Sequence, residues 1–172
     1  MAYTLEQLSA DCSAALHKNP GPAGREEVRK FIAKACADRD FVAKYLGPEN
    51  KTERNILYED SDLKFCILAH AYTGPKGSSP HDHGPSWAIY GQAVGETVMT
   101  DWECLERPKD GKPGKVRKVK SYSLTPGIAH LYNEGALHSP SRKDDTRLIR
   151  VEGQNLYGMR RDKYEAVDAA TV

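Results

Sequence analysis

From Thr4 to Leu46 apolar residues recur every three or four positions, the period of an amphipathic helix. Leu5, Leu8, Cys12, Ala15 and Leu16 share one face, and Thr4 stands three residues before Gln7, the spacing of a capping box. Asn19-Pro20-Gly21-Pro22 breaks this first helix. A second helical pattern runs from Glu26 to Leu46 through Val28, Phe31, Ile32, Ala35, Phe41, Val42 and Tyr45. It is interrupted near Asp38-Arg39-Asp40, which predicts two helices rather than one, and Gly47-Pro48 stops it.

Beyond Asn55 the period shortens. Runs rich in β-branched and aromatic residues alternate with Gly, Pro, Asn and Asp, and they predict strands. The predicted strands are Asn55–Tyr58, Lys64–Tyr72, Ser86–Ala93, Glu96–Glu103, Val116–Ser123, Ala129–Tyr132 and Thr146–Glu152. Glu59-Asp60-Ser61-Asp62 and Lys109-Asp110-Gly111-Lys112-Pro113-Gly114 supply turns between them. Many short strands with regular turns imply a sandwich or small barrel. The chain thus divides into a helical segment over 1–48 packing on a barrel over 49–160, with a polar tail over 161–172 whose last residues, Asp168–Val172, are expected to fray.

Composition narrows the function more than the fold. With 172 residues, 39% of them hydrophobic, the chain is long enough for one domain with a substantial core. Its 25 Lys and Arg nearly balance 24 Asp and Glu, so no nucleic-acid footprint follows from a net charge of +1. The basic run Lys115–Lys120 is interleaved with valines and reads as an edge strand with one solvated face. The apolar run Phe65–Ala69 is far too short to span a membrane. The first residues lack a signal-peptide pattern, and the expected location is the cytoplasm. Cys12, Cys36, Cys66 and Cys104 form no C-x-x-C pair and read as free thiols in a reducing compartment.

The candidate chemistry lies in Pro80-His81-Asp82-His83-Gly84-Pro85. On a strand, His81 and His83 would point to one side and Asp82 to the other. Imidazole is a good ligand for iron, zinc, copper or nickel, and a third histidine from a distant strand would complete a three-imidazole face. Two residues compete for that place, because Gly127 precedes His130 and Gly135 precedes His138 in Gly-x-x-His tetrads. His70 is read as packing, and His17 as a helix-end residue with no partner nearby.

These two blocks, the His-x-His pair and the later Gly-x-x-His after the Pro126-Gly127 turn, resemble the two motifs of the cupin superfamily. The resemblance implies a mainly β fold, a cupin (double-stranded β-helix) barrel with an N-terminal helical segment, holding a metal inside. It favours His138 over His130, since the second cupin motif carries a turn glycine well before its tetrad and Gly127 fills that place for His138. Within the cupins, Ser79-Pro80-His81-Asp82-His83-Gly84 is similar to the iron-site block of the thiol dioxygenases, meaning cysteine dioxygenase and its 3-mercaptopropionate relatives. The general cupin glutamate is replaced here by Trp87 or Ala88, which leaves the neutral three-histidine set that thiol dioxygenases use for Fe(II). Ala88 also stands where the animal enzymes carry a crosslinked cysteine, so no crosslink is expected.

The same resemblance assigns Arg54 to the substrate carboxylate, a role suited to a planar bidentate guanidinium, and Tyr72 and Tyr90 to the substrate pocket. It departs at the last strand. The family's Ser-x-His-x-Tyr relay falls on Leu148, Arg150 and Glu152, so Arg150 is expected either to bind an anionic substrate group or to pair with Glu152. Tyr157 is expected to supply a phenol from the loop that follows. The implied activity is O₂-dependent oxidation of a small thiol carboxylate to its sulfinate at Fe(II) held by His81, His83 and His138, with Arg150 and Tyr157 as catalytic residues and with no nucleic-acid or membrane partner. Two rivals remain: another metal-dependent cupin enzyme (lyase, isomerase or carbon-bond dioxygenase) using zinc, nickel or manganese, and a non-catalytic cupin sensor of small ligands.

Overall fold

The capping box forms. Thr4 Oγ1 accepts from the Gln7 amide and Gln7 Oε1 accepts from the Thr4 amide, both at 3.2 Å, and helix α1 runs over Leu5–Lys18. Pro22, whose missing N–H costs nothing at a helix start, opens α2 over Pro22–Ala37, one turn earlier than the periodicity predicts. Asp38 then accepts from the amides of Asp40 and Phe41 and caps α3, Arg39–Leu46, so the predicted interruption is a cap between two helices. The computed structural model describes residues 3–167, and Asp168–Val172 lie outside them.

Ten strands follow: β1 Asn55–Glu59, β2 Cys66–Tyr72, β3 Lys76–Gly77, β4 Ala88–Val94, β5 Thr97–Glu106, β6 Gly114–Leu124, β7 Ala129–Tyr132, β8 His138–Arg142, β9 Thr146–Glu152 and β10 Tyr164–Ala166. They form two five-stranded sheets in the orders β1-β2-β9-β4-β7 and β10-β6-β5-β8-β3. Every pairing is antiparallel except the short one between β10 and β6. Neighbours distant in sequence, such as β2 with β9 and β5 with β8, curl the two sheets around a common interior. The result is mainly β, two curled sheets forming a barrel, and it carries N-terminal helices, as the sequence reading expected.

The first sheet is covered on both faces. Ile67, Ala69, Ile89, Ile149 and Val151 pack outward against Leu8, Cys12, Val28, Ile32 and Phe41 of the helices. Ala88, Tyr90 and Leu148 point the other way, beside Tyr132 of the same sheet, and meet Met99 and Leu124 across the interior. This double burial is why β2 and β4 are each buried over six consecutive residues. Gly91 makes the helix contact feasible, because a Cβ there would overlap Ile32 Cγ2 and lie 2.9 Å from Cys36 Sγ. The second sheet leaves its outer face to solvent, and β6 is buried at Gly114, Val116 and Leu124 but exposed from Lys118 to Ser121. Tyr164–Ala166 pairs with Gly114–Val116, so the predicted open edge is covered over its first residues and exposed over the rest of the basic run.

Cys12, Cys36 and Cys66 are buried free thiols, and Cys104 is an exposed one. His17 does have a partner: its Nε2 lies 2.7 Å from Asp62 Oδ2, and its Nδ1 lies 2.8 Å from the Ser13 carbonyl. No described helix is long and apolar enough to cross a membrane.

Candidate metal centre

His81 and His83 do not sit together on a strand. His81 makes a single antiparallel bridge to His138, and His83 enters a turn in which the Ser86 amide bonds the His83 carbonyl at 3.1 Å. The local sequence dictates this. Pro80 and Pro85 have no amide to offer a ladder. Gly84 takes φ = 59°, and the Asp82 side chain accepts from the Gly84 amide at 2.9 Å. His138 opens β8, and its amide and carbonyl exchange hydrogen bonds with those of His81 at 2.9 and 3.0 Å.

These three imidazoles converge, with ligating nitrogens all within 4.8 Å of one another. Two are oriented by the backbone: His81 Nδ1 lies 2.9 Å from the Ser79 carbonyl, and His138 Nδ1 lies 2.9 Å from the Ala136 carbonyl. A carbonyl only accepts, so each Nδ1 carries the proton and each Nε2 presents a lone pair. His83 Nε2 stands 3.2 Å from His138 Nε2, and His83 Nδ1 is buried without a partner. Metal–nitrogen bonds of about 2.0–2.1 Å place two neighbouring ligands of one ion roughly 3.0–3.4 Å apart, so this donor pair fits a shared cation. Burial lowers the pKa of all three, His138 to about 3, which keeps the imidazoles neutral and available as ligands at neutral pH. Among the described residues no carboxylate joins the group.

His130 is not a member. It lies on β7 with its ring 5.0 Å from Tyr122 and 4.6 Å from Tyr132. Tyr132 in turn stacks on His138 at 3.9 Å, and its hydroxyl meets Tyr122 Oη at 2.6 Å. Tyr90 comes closest to the donors: its hydroxyl is 3.2 Å from His83 Nε2 and 3.5 Å from His138 Nε2. Burial raises its pKa and keeps the phenol protonated.

The expected substrate residues gather at a neighbouring cavity of about 420 Å³, lined among others by Arg54, Tyr72, Arg150 and Tyr157. Arg150 extends over the Tyr90 ring at 4.5 Å. Arg150 takes the second of its two expected partners, Glu152, a carboxylate 1% exposed that accepts from Arg150 Nη1 at 3.4 Å and from Arg54 Nη2 at 3.2 Å. Arg54 also donates to Asn155 Oδ1 at 2.9 Å. Tyr157 is 81% exposed with its ring 5.6 Å from the Arg54 guanidinium, and the structure does not bring it to the histidines. His70 lines the cavity with Nδ1 3.0 Å from Tyr72 Oη. The sequence reading missed Tyr132 and Arg142. The signal for Arg142 was the period-two set His138, Pro140 and Arg142 on β8, in which all three are buried.

No protein-family model matches the chain, and no curated protein matches it in sequence. Solved structures do resemble it. A cupin-2 domain protein from Shewanella frigidimarina is 12% identical over 57% of this chain and 76% of its own, with a TM-score of 0.41. KdgF from a Halomonas species is 15% identical over 58% and 74%, at 0.43. A cupin superfamily protein from Desulfitobacterium hafniense is 12% identical over 62% and 80%, at 0.45. At these identities the resemblance extends to the course of the chain and not to its chemistry.

Proposed function

We propose that this protein is an Fe(II)-dependent thiol dioxygenase, oxidising a small thiol carboxylate of the cysteine or 3-mercaptopropionate type to its sulfinate with O₂. The observation that carries the reading is the donor set: three neutral imidazoles, no carboxylate among them, beside an arginine-lined cavity. A neutral set leaves the charge of a divalent ion less compensated and favours an anionic thiolate. Ala88, wholly buried on the interior face, offers no ligand atom of its own.

Fe(II) bound there supplies the redox chemistry that joins O₂ to a thiolate sulfur. The balance is RS⁻ + O₂ → RSO₂⁻: sulfur gives up four electrons, both oxygen atoms end on it, and no external reductant is consumed. The chain's part is orientation and charge. Arg150, fixed over Tyr90, holds the substrate carboxylate, and Arg54 adds a second guanidinium on the far side of Glu152. The Tyr90 phenol, protonated at neutral pH and 3.2 Å from His83 Nε2, would donate a hydrogen bond to a substrate oxygen held at this site. Met99, Leu148 and Tyr132 wall the interior and exclude water.

The test is oxygen consumption by Fe(II)-reconstituted protein with cysteine or 3-mercaptopropionate, with product mass read in parallel. One O₂ consumed per sulfinate formed, abolished in His83→Ala, is the expected result. Tightly held zinc with no oxygen uptake across a panel of thiols would overturn the reading.

A further inference from the structure

The cavity lined by Arg54 and Arg150 carries more positive charge than a monocarboxylate needs. Arg54, Lys76, Arg150 and Arg161 line it against only Glu53 and Glu152. Both carboxylates are already engaged: Glu53 accepts from Lys76 at 2.5 and 2.6 Å, and Glu152 accepts from Arg54 and Arg150. Four cations against two anions leave an excess of two.

A further cation stands behind the wall. Arg142, 5% exposed, stacks its guanidinium 4.4 Å from the Tyr72 ring and donates Nε to Thr97 Oγ1 at 3.1 Å, while its Nη2 is buried without a partner. Arg150 Nε and His70 Nε2 are buried and unpartnered too, and His70 is only 2% exposed. Buried polar groups are ordinarily hydrogen-bonded, so three orphans on residues at or directly behind one cavity wall mark missing partners. Geometry connects the place to the metal donors through one side chain: Arg150 lies over the Tyr90 ring, whose hydroxyl is 3.2 Å from His83 Nε2.

We propose that this cavity is the subsite for the far end of the substrate and selects an acid bearing two negative charges there, as two carboxylates or one phosphonate, over a single carboxylate. The assignment of the near end to a thiolate rests on the dioxygenase reading; the charge selection does not. The volume of about 420 Å³ accommodates a short branched acid with its ordered water.

Calorimetric titration of the full chain, anaerobically with and without Fe(II) and at a pH above the second ionisation of the phosphonate, compares succinate, ethylphosphonate and propionate. At least one dianion is expected to bind tenfold or more tightly than propionate, and which one does identifies the distal group. Arg150→Gln should abolish the preference. Because that residue is buried, Arg161→Gln provides a second variant, expected to reduce the preference several-fold by lowering the excess charge. Propionate binding as tightly as both dianions, or a preference that survives both substitutions, would overturn the proposal. Oxygen uptake separates the two readings. Dianion binding with no uptake from any thiol sinks the dioxygenase and leaves the subsite standing. Uptake that favours 3-mercaptopropionate over mercaptosuccinate does the reverse.

Discussion

Glu152→Gln isolates the electrostatic centre of the barrel. The substitution keeps the side-chain volume and a carbonyl oxygen, yet among the described residues it removes the only carboxylate that bonds both Arg54 and Arg150. Glu152 is 1% exposed, and the side chain of Arg150 is 13% exposed, so solvent replaces little of what is lost. Breaking a buried ion pair from one side costs about 3–5 kcal/mol, since the remaining charge stays buried and uncompensated. Here both contacts are long, at 3.2 and 3.4 Å, which sets the expectation at the lower end, about 3 kcal/mol. The Leu156 amide, 3.4 Å from the same carboxylate, loses its charged acceptor as well. Urea denaturation measures the effect as a fall in midpoint at constant slope. Adding Arg150→Met to the Glu152→Gln variant should restore a large part of the loss, because the unpaired cation then disappears. A change below about 1 kcal/mol in the single variant would refute the reasoning, placing the triad in the range of exposed pairs. So would a double variant no more stable than the single one.

Three further outcomes are expected. His138→Ala should weaken metal binding by more than about a hundredfold, beyond the ten- to hundredfold typical of a lost supporting partner, with far-UV circular dichroism preserved; undiminished metal content after gel filtration would contradict the assignment. In the metal-free protein, burial holds His70, His81, His83, His130 and His138 below the unfolded value of about 6.5, while its hydrogen bond to Asp62 raises His17. The unfolded chain therefore binds more protons below that pH, and stability should be full above it and decline as pH falls by up to about 1.4 kcal/mol per pH unit for each of the five, which melting curves from pH 7 to 5 would detect. Thr4→Ala should cost about 1 kcal/mol by removing the acceptor for the Gln7 amide, and an unchanged urea midpoint would show that the cap contributes nothing.

The legible parts of the chain were those whose signals are local. Thr4 with Gln7, the break at Asn19–Pro22 and the interruption at Asp38-Arg39-Asp40 are set by neighbours within four residues, and all three helices follow from them. The two histidine blocks were legible because Pro, Gly and His are so constrained in what they do. β8 was not predicted as a strand for a reason that concerns function. Its inward residues are His138, Pro140 and Arg142, so a polar interior erases the apolar alternation that marks a strand. Arg150 and Glu152 lie on a strand that was predicted, and their mutual pairing was foreseen as one alternative, but the contact of Glu152 with Arg54, across 98 residues, was not. Tyr164–Ala166 and the His17–Asp62 contact also depend on distant partners that no local pattern encodes.

The reciprocal backbone hydrogen bonds between His81 and His138 have a consequence for the order of assembly. Two of the three imidazoles are tied together by main-chain atoms, and each ring is then turned inward by a carbonyl only two residues away. Nothing in that arrangement requires an ion to draw the rings together. Folding can therefore run to completion first and loading can follow, the opposite of small zinc modules in which metal and fold arrive at once. Such a pocket is open to whichever divalent ion the surroundings offer, so its occupant is decided by supply as much as by the chain.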